Sequence, residues 1–193
     1  MRPNTWIDAL ARLLALVGAA LPNFWLALVL VFVFAVSVHW FPVLGWVTPS
    51  QSIGANLQHV VLPVVVLALP LIAVTSRVLR GEMLEVLHNL YIQVARAKGV
   101  PEVRVTFRHA LRNALIPVVT VVGLQVGGLL GGGVITEEIF SLPGMGQLVV
   151  TSIFERDYPT LQGTVLFMAV VVLLANLCVD LVYALIDPRI QYR

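Results

Sequence analysis

Four stretches of this chain stay apolar long enough to cross a lipid bilayer: Leu13 to Val38, about Leu57 to Ser76, about Ala114 to Ile135, and Leu161 to Ile186. A span needs about 20 mostly apolar residues to cross a hydrocarbon core of roughly 30 Å. Lipid offers no partner for backbone N–H and C=O groups, so each span must be helical. Pro22 lies near the start of the first stretch, and Pro63 and Pro70 lie inside the second. Neighbouring helices satisfy the carbonyls that such prolines free. The pattern predicts an all-α membrane protein, one transmembrane domain over residues 1–193 with about four transmembrane helices. It leaves outer loops at 39–56 and 136–160 and a long middle loop at 77–113. The first apolar run is too long for a signal peptide and lacks a small-residue cleavage site after it.

The middle loop is patterned. Glu82 to Ala97 has good helix formers and no Pro or Gly, Gly99 suits a C-terminal stop, and Pro101 suits the first turn of a following helix. From Glu102 to Asn113 the predicted helix is amphipathic. Val103, Phe107, Ala110 and Ala114 fall on one face at i, i+4, i+7 and i+11, beside a basic stripe of Arg104, Arg108 and Arg112. Two readings fit the stripe. The arginines can sit on anionic lipid head groups, each worth about 1 kcal/mol near the surface, or the helix–Gly–helix elbow can fill a groove on a cytoplasmic partner.

The third span is crowded with small residues: Gly123, Gly127, Gly128, Gly131, Gly132 and Gly133. Pairs four apart let a second helix approach closely, either within the chain or from another subunit. Thr75, Thr120, Gln125 and Asn176 are the polar groups best placed by type to face a pathway through the membrane.

Composition sharpens the picture. Of the 193 residues 59% are hydrophobic and 11% charged, against roughly 45–50% and about 25% in soluble domains. Of the twelve Lys and Arg residues, all but Arg156 fall at the termini or in the middle loop. By the positive-inside rule those parts are cytoplasmic. A net charge of +2 is too small to argue for nucleic-acid binding.

Nothing in the chain supports an enzyme. Its single lysine, Lys98, is followed by Gly99 and Val100, so no G-x-x-x-x-G-K-[ST] loop exists, and H-E-x-x-H and G-x-S-x-G are missing too. His39, His59, His88 and His109 are spread over both sides of the membrane, and Cys178 is alone, so no metal site is expected. Within the spans the ionisable groups are His59, near the outer end of the second, and Asp180 in the fourth. That is poor equipment for an ion-driven carrier.

The elbow also carries a resemblance. Tyr91-Ile-Gln-Val-Ala-Arg-Ala-Lys-Gly-Val-Pro101, followed by Arg108-His-Ala-Leu-Arg-Asn-Ala-Leu-Ile-Pro117, resembles the EAA loop of ABC-transporter inner-membrane permeases, in the form of the dipeptide/oligopeptide/nickel subfamily. Gln93, Val94 and Ala95 stand at the Glu-Ala-Ala positions and Gly99 at the glycine. His109, Leu111 and Arg112 depart from the general Ile-x-Leu-Pro ending. Leu21-Pro-Asn-Phe-Trp25, Phe41-Pro-Val-Leu-Gly45, Glu138-Ile-Phe-Ser-Leu-Pro-Gly-Met-Gly146, Asp157-Tyr-Pro159, and Asp180-x-x-Tyr183 with Asp187-Pro-Arg189 are similar to further elements of the subfamily, in the same order.

The resemblance implies a type I importer permease that lacks the first two helices of its relatives. It implies a bacterial or archaeal cytoplasmic membrane, with both termini cytoplasmic. The partners implied are a second permease subunit, two cytoplasmic ABC ATPase subunits that hydrolyse ATP, and an extracytoplasmic solute-binding protein meeting the loop from Thr136 to Pro159; the chain binds no cofactor itself. Gln93, Val94, Ala95, Ala97, Gly99, Arg104, Arg108, His109 and Arg112 are then the ATPase-docking residues. The cargo expected is a di- or oligopeptide or a related small solute, nickel chelates and glutathione-like molecules included. The alternative is a truncated, non-transporting membrane scaffold that still docks an ATPase.

Overall fold

A computed structural model describes Trp6 and residues 20–186, with side chains left undescribed at 130–132, 180 and 182–186. All regular structure among these residues is helical. In chain order the helices are α1 (Asn23–Ser37), α2 (Ile53–Leu87), α3 (Leu90–Ala97), α4 (102–140), α5 (Met145–Glu155) and α6 (Tyr158–Ile186).

The segments Ile53–Leu87, Glu102–Leu129 and Tyr158–Val179 are long and apolar enough to cross a membrane. They contain or overlap the second, third and fourth predicted spans. The first span needs correction. Pro22 does not lie inside a helix but stands extended before α1, with φ −61° and ψ 139°. Its carbonyl accepts the Leu26 N–H at 3.1 Å. A proline is comfortable there, where the first N–H groups have no helical partner. Of the predicted span Leu13–Val38, residues 13–19 lie outside the described residues, and the helical part is Asn23–Ser37. Its last turns widen into a π-helix over Val31–Ser37.

A second correction concerns where the middle loop opens: residues 77–81 continue the helix of the second span without a break. At about 1.5 Å per residue, the 35 residues of α2 run roughly 52 Å, well beyond the roughly 30 Å hydrocarbon core. The helix therefore carries Arg77, Arg80, Glu82 and Glu85 past the lipid without a break. The single helix expected over Glu82–Ala97 is instead two: the chain turns at His88 and Asn89, and Asn89 is extended at φ −65° and ψ 146°. Asn89 takes the N-cap position of α3 through its backbone, without a side-chain cap bond. In the same way, most of the outer loop 136–160 is helical, through the end of α4, all of α5 and the start of α6.

Two small cores sit at opposite ends of the bundle. One joins Leu26, Ala27 and Ala35 of α1, Leu62 and Val66 of α2, and Phe140 at the end of α4. The other joins Met83 and Val86 of α2, Ile92 of α3, and Val105, Ala110 and Ala114 of α4. Between them the apolar side chains are largely exposed, as on Leu166, Leu173 and Leu181 of α6. The division has a physical cause: lipid tails are as apolar as Leu, so mid-membrane contact must come from close packing of small residues. Gly123 supplies such a contact. A Cβ there would collide with Val179 of α6, and one at Gly127 would lie 3.6 Å from Val172. These two glycines therefore pack within the chain. Gly128 has nothing within 4 Å, and the surroundings of Gly131 and Gly132 lie outside the described residues.

Candidate functional site: the basic elbow

The elbow between α3 and α4 is closed by backbone geometry. The Val100 N–H donates to the Ala95 carbonyl at 3.2 Å, and the Gly99 N–H to the Arg96 carbonyl at 2.9 Å. That is a Schellman cap, with Gly99 at its left-handed position, where φ is +78°. A Cβ on Gly99 would meet nothing within 4 Å, so the backbone angle, rather than crowding inside the chain, requires glycine here. Pro101 follows in extended form, and its carbonyl receives the N–H groups of Arg104 and Val105 at 2.8 and 3.1 Å.

Side chains reinforce the turn. The Arg96 guanidinium forks onto the Glu102 carboxylate, with Nε donating at 3.1 Å and Nη2 at 2.6 Å. Both groups are exposed, so the pair is screened by salt and contributes little beyond geometry. Asn113 donates to the Tyr91 hydroxyl at 2.8 Å and to the His109 carbonyl at 3.0 Å, and Tyr91 donates to that same carbonyl at 3.4 Å. Ile92, Val105, Ala110 and Ala114 are fully buried behind these bonds, which mounts the elbow on the end of α2.

Gln93, Val94, Ala97, Gly99, Arg104, Arg108 and Arg112 all come to the surface of this one end. Ala95 and His109 do not stand free with them. Both are half-buried, and Ala95 packs against the inner cluster. The predicted apolar face also changes. Ala110 and Ala114 are buried, but Val103 and Phe107 are 72% and 66% exposed. The reason is a π turn over Val105–Ala110, in which the Leu111 N–H reaches the Thr106 carbonyl five residues back. The extra residue rotates everything before it, and Val105 takes the inward place.

At the far end of α4 two of the resembling elements meet. The Gly45 N–H, at a residue with φ +106°, donates to the Phe140 carbonyl at 3.1 Å. The carboxylate of Glu137 accepts the N–H groups of Gly146 and Gln147 at 2.7 and 3.1 Å, capping α5. A Cβ on Gly144 would collide with that carboxylate, and one on Gly146 with the Val134 Cα. The acidic residue of this element is therefore Glu137, not Glu138. The signal was present in the sequence: counting three residues back from Phe140 gives Glu137. Asp157 then caps α6, accepting the Thr160 hydroxyl at 2.5 Å and the Thr160 N–H at 3.2 Å. Those two bonds, the hydroxyl's first, hold the Asp157 carboxyl below its ordinary range.

Of the four polar groups proposed for a pathway, the structure joins two. Gln125 donates to the Thr75 hydroxyl at 3.3 Å, linking α4 to α2. Thr120 and Asn176 are exposed and stand apart from that bond. The side chain of Asp180, and the Asp187-Pro-Arg189 element, lie outside what is described. Among the described residues no group of three or more His, Cys, Asp or Glu is placed to hold a metal ion.

The chain is 44% identical over 193 residues to the oligopeptide transport system permease protein AppB of Bacillus subtilis, covering 99% of this chain and 61% of the relative. It is 42% identical over 211 residues to the dipeptide transport system permease protein DppB of Alkalihalophilus pseudofirmus, covering 99% and 63%. The di/tripeptide transport system permease protein DppB of Pseudomonas aeruginosa is 44% identical over 199 residues, covering 93% and 59%. This chain thus spans about 60% of the length of these relatives. Residues 1–192 match the family of binding-protein-dependent transport system inner membrane components, and the chain belongs to that family.

Proposed function

We propose that the chain is a membrane-spanning permease subunit of an ATP-driven importer of di- or oligopeptides, working in a bacterial or archaeal cytoplasmic membrane. The observation that carries this reading is the elbow. It is a capped turn on the end of a membrane helix, presenting Val94, Val103 and Phe107 beside Arg104, Arg108 and Arg112. Apolar anchors ringed by arginine suit a groove on another protein better than a lipid surface, because desolvated anchors dominate such contacts. An ATPase pair that closes on ATP would pull on two such elbows. Since 102–140 is one continuous helix, the pull would travel to α5 at the far end. There the region from Thr136 to Pro159 would meet a solute-binding protein, and a second permease subunit would complete the pathway.

Peptide cargo is supported by what the relatives transport. The test is uptake of a labelled dipeptide by cells with and without this gene. Loss of ATP-dependent uptake on deletion is the expected result. Undiminished uptake of di- and oligopeptides would remove the peptide assignment, and a membrane scaffold that docks an ATPase without flux would remain.

A further inference from the structure

The segment 102–114 carries two apolar faces, and only one can be buried at a time. In an unbroken α-helix each residue advances about 100°, which places Val103, Phe107, Ala110 and Ala114 together. The structure buries Val105, Ala110 and Ala114 to 0% exposure instead and leaves Val103 and Phe107 in solvent. Val105 and Ala110 are five residues apart, which in an α-helix would set them about 140° from each other. The π turn over Val105–Ala110 brings them into line. Such turns are rare and occur mostly as single insertions in α-helices.

Side-chain bonds brace the π register from outside. The Tyr91 hydroxyl and the Asn113 amide converge on the His109 carbonyl, near the end of the turn, at 3.4 and 3.0 Å, and Asn113 also donates to Tyr91. All of these bonds lie at the exposed surface, where water can replace them. We propose that 102–114 is a two-register joint, in which the π register presents Val103 and Phe107 and the α register buries them. Passing between registers turns 102–104 about the helix axis relative to 111–140, which re-aims the elbow. A partner that grips Val103 and Phe107 favours the π register by its differential affinity for that state. Only the identity of that partner rests on the proposed function; the two registers need no partner.

The test uses the full chain carrying Cys178→Ala and Val103→Cys, in membranes opened to a maleimide on both sides. Deleting Thr106 sets Val105 four residues before Ala110, in line with it in a plain α-helix, so position 103 should keep labelling at the parent rate. Tyr91→Phe with Asn113→Ala weakens the lock in a chain that keeps the extra residue, and should slow labelling at position 103 by about tenfold, as expected when a site must open locally before it reacts. A cysteine at Val94, on the exposed side of α3, should label at the parent rate in both variants. An unchanged or faster rate at position 103 in the double variant, or a slowed rate in the deletion, would overturn the joint. If the deletion fails to insert, the rate in the double variant alone decides. Slower labelling in a chain that captures no ATPase would leave the joint standing and remove the docking reading.

Discussion

At the scale of single residues, glycines separate by what surrounds them. Gly123→Ala drives a methyl into Val179, and Gly146→Ala drives one into the Val134 backbone. Gly128→Ala meets nothing within 4 Å and replaces a residue that costs about 0.8–1 kcal/mol in a helix. Thermal unfolding of the purified protein should therefore rank Gly128→Ala at or above the parent and the other two below it. Gly99→Ala forces a Cβ into φ +78°, a strain of about 1–2 kcal/mol for an L-residue, whereas Gly99→Asn should be milder because Asn tolerates that region. Asp157 gives a pH signature. Its carboxyl is held below the ordinary Asp value, which is about 3.9. Its cap is thus fully present above that value and is lost as pH falls through the lower folded one. Hydrogen exchange at the Thr160 amide should stay protected at neutral pH and lose protection in that acid window. Asp157→Asn should remove the pH dependence, and a persisting dependence would contradict the assignment.

At the scale of elements, the helices were legible where a pattern had one meaning and obscure where it had two. The apolar stretches 57–76, 114–135 and 161–186 located α2, α4 and α6, and Gly99 and Pro101 marked the elbow. Three features escaped. Helix α2 runs on past Arg77 because a lone Gly81 costs only about 1 kcal/mol in a helix and no Pro follows before Leu87, and the loss of hydrophobicity there reflects water rather than a turn. Helix α5 is short and apolar, and it depends on Glu137, eight residues ahead of Met145 and on another helix, for its cap. The face of α4 was misassigned because periodicity presumes 3.6 residues per turn, which the π turn at Val105–Ala110 violates. Helix α5 gives the prediction proper to this scale. Glu137→Ala should cost about 1 kcal/mol, typical of a lost N-cap, and raise exchange at the Gly146 and Gln147 amides. Glu138→Ala should change neither, and equal effects from both would refute the cap.

At the scale of the whole molecule, the two cores lie at opposite ends of the bundle and the long helices run between them through lipid. Movement at the elbow has one continuous helix, 102–140, along which to reach the Glu137 cap and α5. The Gln125–Thr75 bond and the Gly123 contact with Val179 are among the contacts that tie that helix to its neighbours in between. If the arginine-rich end is cytoplasmic, as the positive-inside rule has it, a cysteine introduced at Arg104 should resist an impermeant thiol reagent in intact cells. Labelling there would reverse the topology. The central claim is that the elbow engages an ATPase through its exposed groups. A charge at Ala95 is a poor probe, because that residue packs inward. Val94→Glu and Phe107→Asp change side chains that are 51% and 66% exposed and leave the inner cluster intact. The decisive measurement is the amount of ATPase subunit that co-purifies with each form of the chain from membranes. The account predicts capture by the parent and its loss in both variants at unchanged insertion; equal capture by all three would contradict it.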